Sequence, residues 1–123
     1  MAGSPDDAFE AMVARAIAHI PQPFADQLGS VAIVVEDWPT VEQLQRVGAR
    51  GLFGLYEGVP RTAWGADFAA PGKITIFRGP LEQHFRGPEA LEHAVEDTVH
   101  HEIAHHLGIS DERLHELRHR IGG

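Results

Sequence analysis

Apolar residues recur along the chain with two different periods, and the change from one period to the other outlines the secondary structure. A helical stripe of apolar residues follows Ser4 and Pro5 and ends near residue 19, before Pro21 and Pro23. Three short segments predict strands: 31–36, which is rich in valine and isoleucine, 52–57 and 73–78. The first is predicted to be buried. The third alternates apolar and polar residues and is predicted to be half-buried.

Glycine, proline and capping residues predict the remaining elements. Thr40 and Gln43 have the spacing of a capping box and predict a short helix through Val47, which Gly48 and Gly51 end. Residues 58–72 contain three glycines and two prolines and predict a long loop.

The last third of the chain is predicted to be helical. Gly87 and Pro88 start a long helix that reaches Leu107, and residues 111–120 predict a final short helix. Gly54, inside the second strand, predicts a weak point or a close backbone approach. The order α–β–α–β–β–α–α predicts one α+β domain over residues 1–123, with helices packed on a small sheet.

The long helix carries the most informative motif. Residues 100–111 read HHEIAHHLGISD and include an HExxH motif formed by His101, Glu102 and His105. Because His101 and His105 are four residues apart, both imidazoles project from one face of the helix and can bind one metal ion. Glu102 lies beside them, where it can accept a proton from a metal-bound water.

The residues after the motif make it more specific than HExxH alone, which chance can produce in a chain with nine histidines. Gly108 is placed to end the helix in the left-handed conformation and turn the chain sharply. That turn brings Asp111 back towards the histidines as a third ligand. Two nitrogens and a carboxylate leave one tetrahedral position open, which is typical of catalytic zinc sites.

The phase of the helix argues against a histidine-rich helix without a metal. An apolar stripe repeats every four residues, and it lies about 160–200° around the helix axis from His101 and His105. The stripe is formed by Leu91, Val95, Val99, Ile103 and Leu107. We therefore expect the stripe to pack inward and the histidines to face a cleft.

Composition excludes several classes of function. The net charge is −8 and Lys73 is the only lysine, which argues against binding to nucleic acids or anionic membranes. Cysteine is absent, so no disulfide or thiolate chemistry is expected. The first twelve residues lack the apolar core of a secretory signal, and the apolar run 31–35 is too short to span a bilayer. The expected location is the cytoplasm.

Four blocks of the chain resemble, in the same order, the small single-domain zincin-like metallopeptidases of bacteria. They are VAIVVED (31–37), LFGLYEGVPRT (52–62), KITIFRGPLE (73–82) and HHEIAHHLGISDERL (100–114). The resemblance implies a minimal zincin fold, in which a short mixed sheet of three or four strands packs with an active-site helix and two or three other helices. It also implies zinc-dependent hydrolysis of peptide bonds in a peptide or protein substrate.

The same resemblance assigns the site residues and the substrate strand. It implies that His101, His105 and Asp111 hold Zn²⁺ and that Glu102 is the general base. It makes residues 73–78 the candidate edge strand to which a substrate adds. The donor that stabilises the tetrahedral intermediate stays open among four residues: Tyr56, Arg61, His115 and His119.

Three alternatives remain at this point. The chain lacks the methionine turn of larger relatives, since Met1 and Met12 both precede the motif, and this favours a metal-stabilised binding module with little turnover. Two histidines and a carboxylate can also hold Fe(II) in an oxygenase, although the many short strands of that fold are missing. His115 and His119 could form a second metal pair, but exposed positions near a helix end fit them better.

Overall fold

The computed structural model describes residues 5–29, 31–47, 53–58, 72–110, 112, 113 and 116. The elements in chain order are α1 (Pro5–Ala18), a short 3₁₀ helix (Ala25–Gln27), β1 (Ala32–Glu36), α2 (Val41–Val47), β2 (Gly54–Gly58), β3 (Gly72–Phe77), α3 (Arg78–His84) and α4 (Pro88–Leu107). The predicted α+β class is confirmed. The predicted helix breaks at Gly48 and Gly51, and most of the predicted 58–72 loop, lie outside the described residues.

The three strands form one mixed sheet in the order β1–β3–β2. β1 runs parallel to β3, and β2 runs antiparallel to it. The sheet is therefore mixed, as the resemblance implies. β3 is its central strand, so the prediction that residues 73–78 form a substrate-binding edge strand is wrong. A strand that is hydrogen-bonded on both sides has no free backbone edge for a peptide.

Burial of the strands also differs from the prediction. Ile74, Thr75, Ile76 and Phe77 are all fully buried, so both faces of β3 are covered. The alternation that suggested a half-buried strand arises from Thr75, a polar residue that occupies a buried position. β1, predicted to be buried, is half-buried because it lies at the edge of the sheet. The burial of β3 and of β1 depends on the order in which the strands pair, which the local sequence pattern does not encode.

The sequence pattern does not predict α3, which follows β3 without a loop. The Gly79 N–H donates to the Asp37 carbonyl oxygen at 2.8 Å, and the guanidinium of Arg78 pairs with the Asp37 carboxylate. Gly79 also lies under the ring of Trp38, where a Cβ would collide with the indole. These contacts come from the segment after β1, so the turn into α3 depends on tertiary structure.

The capping predictions are confirmed for the short helix α2 and for the long helix α4. In α2 the Gln43 N–H donates to the Thr40 Oγ1, and the Thr40 N–H donates to the Gln43 Oε1, at 3.1 and 2.8 Å. α4 begins after Gly87 with a proline in its first turn and ends at Gly108, which has the left-handed φ of 72°. No helix in the described ranges is both long and apolar enough to cross a membrane.

α1 lies along α4 and supports its buried side. Phe9, Val13 and Ala16 join the α4 stripe in the main core. At the rim, the Arg15 guanidinium donates to both carboxylate oxygens of Glu92, at 2.6 and 2.9 Å. These hydrogen bonds lower the pKa of Glu92. Both groups are solvent-exposed, so the pair contributes little to the stability of the fold.

Candidate active site

The orientation of α4 agrees with the phase predicted from its sequence. Val95, Val99 and Ile103 are fully buried against the sheet and α1. The side chains of His101 and His105 are 46% and 54% exposed. The helix therefore presents both histidines on its open side while its apolar stripe holds it in place.

The two histidines lie next to each other, and the less exposed carboxylate of Glu102 lies close to both. Their ring centroids are 4.5 Å apart. The Glu102 Oε2 lies 4.0 Å from the His101 Nε2, and the Glu102 Oε1 lies 3.7 Å from the His105 Nδ1. These distances exceed hydrogen-bond length, so neither of these two contacts is a hydrogen bond. The Glu102 side chain is only 8% exposed, which places a carboxylate with little solvent access beside two accessible imidazoles.

Gly54 of β2 explains how this carboxylate is confined. A Cβ built on Gly54 would lie 2.8 Å from the Thr98 Cγ2 and 3.2 Å from the Glu102 Cγ. The strand backbone thus touches α4 one turn before Glu102 and at Glu102 itself. This is the close approach that a glycine inside a strand indicated.

The histidines that flank the pair are buried and hydrogen-bonded. The His100 Nε2 lies 2.8 Å from the Ala16 carbonyl oxygen and ties α4 to α1. The His106 Nε2 lies 2.9 Å from the Leu28 carbonyl oxygen, and its Nδ1 lies 3.1 Å from the Tyr56 hydroxyl. Both residues therefore help to hold the helix in place.

The contacts of His106 define the direction of the Tyr56 hydrogen bond. A carbonyl oxygen only accepts, so the His106 Nε2 donates its proton to Leu28. In the neutral imidazole the Nδ1 then accepts the proton of the Tyr56 hydroxyl. Tyr56 was one of four candidate donors to the tetrahedral intermediate. Its proton is already committed to His106, so it is poorly placed for that role.

We predict that Tyr56, the only tyrosine of the chain, ionises later in the folded protein than in the unfolded chain. Burial raises the pKa of its hydroxyl, whereas an unfolded tyrosine titrates near pH 10. Its contribution to stability is therefore complete below about pH 10 and is lost as the pH rises through the folded pKa. Ultraviolet absorbance titration of native and denaturant-unfolded protein measures both pKa values. Coincident curves would contradict the prediction.

The other predicted site residues lie outside the described residues: Asp111, Arg61, His115 and His119. Of the predicted final helix, only Glu112, Arg113 and Glu116 are described, and they are helical. Within the described ranges, no three His, Cys, Asp or Glu side chains are arranged to hold a metal ion. The structure thus brings together His101, His105 and Glu102, and the role of Asp111 stays a prediction.

The antiparallel strand β2 takes the place that the family resemblance assigned to residues 73–78. Among the described strands it forms one edge of the sheet, and it contacts α4 through Gly54 and Tyr56. An edge strand beside the motif helix is where an extended peptide can add by backbone hydrogen bonds.

The comparison with known families agrees with this arrangement. A profile of zincin-like metallopeptidases matches residues 28–120, which include the whole sheet and the motif helix. The chain belongs to the zincin-like metallopeptidase family. No curated protein matches it. Membership in the zincin-like family implies zinc binding and peptidase chemistry.

Of two long-range contacts in this zincin-like site, the sequence indicated only one. The link from His106 to Tyr56 and Leu28 joins positions 50 and 78 residues apart. The contact of Gly54 with Thr98 likewise depends on how β2 docks on α4. The glycine inside a strand signalled the second contact, but no local pattern signalled the first.

Proposed function

We propose that the chain is a zinc-dependent peptidase in which His101, His105 and Asp111 hold the metal and Glu102 is the general base. The observation that supports this most directly is the position of Glu102. Its carboxylate lies within 4.0 Å of a nitrogen of each exposed histidine, while its stem is packed against β2. A site that only binds metal for stability has no need of a carboxylate at that point.

The residues fit a zinc ion. Rings with centroids 4.5 Å apart allow one nitrogen of each to reach a shared ion at about 2.0–2.1 Å. Imidazoles combined with a carboxylate are a ligand set of catalytic zinc sites. Because the described residues provide two histidines and no complete ligand set, we assign the third position to Asp111, which follows the left-handed turn at Gly108.

Each residue then has a defined task in hydrolysis. Zinc, when bound, lowers the pKa of water and polarises a carbonyl group. Glu102 accepts the proton of the attacking water and afterwards donates it to the leaving amine nitrogen. β2 orients the substrate by backbone hydrogen bonds on the side that does not pair with β3 in the described part of the chain. The contact at Gly54 holds the Glu102 side chain at a fixed position relative to β2.

The direct test is hydrolysis of a broad peptide library by protein purified without chelator, together with its metal content. We expect stoichiometric zinc, loss of hydrolysis after chelation, and recovery when zinc is restored. Bound zinc without any hydrolysis would support the metal-stabilised binding module instead. Hydrolysis that persists without metal would refute the proposed mechanism.

We predict that Asp111→Ala lowers zinc affinity by at least about 100-fold, because even residues that only support a ligand contribute 10- to 100-fold. A competition titration with a chromophoric chelator measures this change. Glu82→Ala, which removes an exposed carboxylate from α3, is the matched control and should leave the affinity unchanged. An unaltered affinity in Asp111→Ala would exclude Asp111 from the ligand set.

A further inference from the structure

An apolar pocket of about 400 Å³ opens beside α4, one helical turn before the histidine pair. Its lining is almost entirely carbon, and its two titratable residues, His93 and Asp97, are solvent-exposed. The lining residues are Phe53, Phe85, Ala90, His93, Ala94, Asp97 and Thr98. The zinc-binding and proton-transfer roles proposed above use none of them.

The pocket lies next to the proposed catalytic base, Glu102. Thr98 lines the pocket, and its Cγ2 lies against Gly54, which in turn contacts the Glu102 Cγ. On a helix, Asp97 and Thr98 lie one turn, about 5.4 Å, before His101 and Glu102 on the same side. A side chain bound in the pocket can therefore belong to a residue next to the peptide bond whose hydrolysis is proposed.

The walls of the pocket favour a planar aromatic group. The Phe53 ring packs against Phe85 with centroids 5.6 Å apart and a tilt of 59°. It also meets the His84 ring edge-on at 5.2 Å. A further ring that enters this cluster gains the edge-to-face contacts that aromatic groups prefer, beyond the burial of its area. A water molecule takes up about 30 Å³ in the liquid. A pocket of about 400 Å³ is therefore also large enough for an aromatic ring.

We propose that this pocket binds an aromatic side chain of the substrate, at a residue next to the hydrolysed bond, and so sets cleavage specificity. This inference rests on the proposed peptidase function. The occupant belongs to a peptide because the pocket lies beside both the edge strand β2 and Glu102. Phe53 directly precedes β2, so a peptide added to that strand passes the mouth of the pocket.

The test fills the pocket from its exposed side. Ala90 lines it but is solvent-exposed on α4, so Ala90→Trp adds a ring without disturbing the core. Ala14→Trp, at an exposed alanine of α1, is the matched control. Two peptides that differ only by phenylalanine or alanine beside the cleaved bond are compared by kcat/KM. We expect wild type and Ala14→Trp to prefer phenylalanine by about 10- to 100-fold, and Ala90→Trp to lose that preference.

A binding measurement separates this inference from the peptidase proposal. Calorimetry with the zinc-loaded Glu102→Gln protein measures Kd for the same two peptides without cleavage, with and without Ala90→Trp. A preference for phenylalanine that Ala90→Trp removes supports the pocket even if no variant hydrolyses peptides. Hydrolysis without a preference for phenylalanine, or with a preference that Ala90→Trp leaves intact, overturns the pocket assignment and leaves the peptidase proposal standing.

Discussion

Glu102→Gln is expected to reduce peptide hydrolysis by about 100- to 10,000-fold, which is the usual contribution of a positioned general base. The amide keeps the size and packing of the side chain against Gly54 but cannot accept the proton of the attacking water. Because zinc is assigned to other residues, the variant should still bind it with unchanged stoichiometry. Measurements of kcat on the zinc-loaded protein, together with its metal content, check both parts.

Glu89→Gln provides the control, since it makes the same chemical change at an exposed position in the first turn of α4. It should leave kcat and metal content as they are in the wild type. Retention of full activity by Glu102→Gln would remove this residue from the mechanism. Loss of both zinc and activity would show instead that Glu102 holds the metal site together.

The geometry of the motif helix could be predicted from sequence because its determinants are local. The period of Val95, Val99 and Ile103 specifies the buried side and therefore the direction in which His101 and His105 point. Its ends are equally local, since a glycine and a proline start α4 and a left-handed glycine stops it. Residues within one helix thus determined the part of the site that the structure describes.

The arrangement around that helix could not be predicted because it depends on pairing between distant segments. No local pattern within residues 73–78 indicates that β3 lies between the other two strands, and the prediction of an edge strand there is wrong for this reason. The hydrogen bonds of His106 depend in the same way on where Tyr56 and Leu28 arrive. The family resemblance supplied the mixed sheet, but only the structure identifies β2 as the edge beside α4.

Gly54→Ala is expected to lower both stability and activity. The added Cβ would stand 2.8 Å from the Thr98 Cγ2 and 3.2 Å from the Glu102 Cγ, so the strand or the helix must shift. Overpacking of this kind costs about 1–3 kcal/mol, which the lower entropy of the unfolded alanine chain offsets by about 0.4–1 kcal/mol. A displacement of about 1 Å at Glu102 is enough to reduce kcat by about 100-fold. Denaturant unfolding and steady-state kinetics measure the two effects.

Thr98→Ser separates the two contacts that Gly54→Ala creates. Serine lacks the Cγ2 but keeps the hydroxyl that donates to the Ala94 carbonyl oxygen at 2.8 Å. In the double variant the contact at 2.8 Å is gone, so the free energy of unfolding should recover. The new Cβ still presses on Glu102, so kcat should stay low. Equal recovery of stability and kcat would mean that Gly54 acts only through packing against Thr98, and additive effects of the two changes would mean that the contact is not formed.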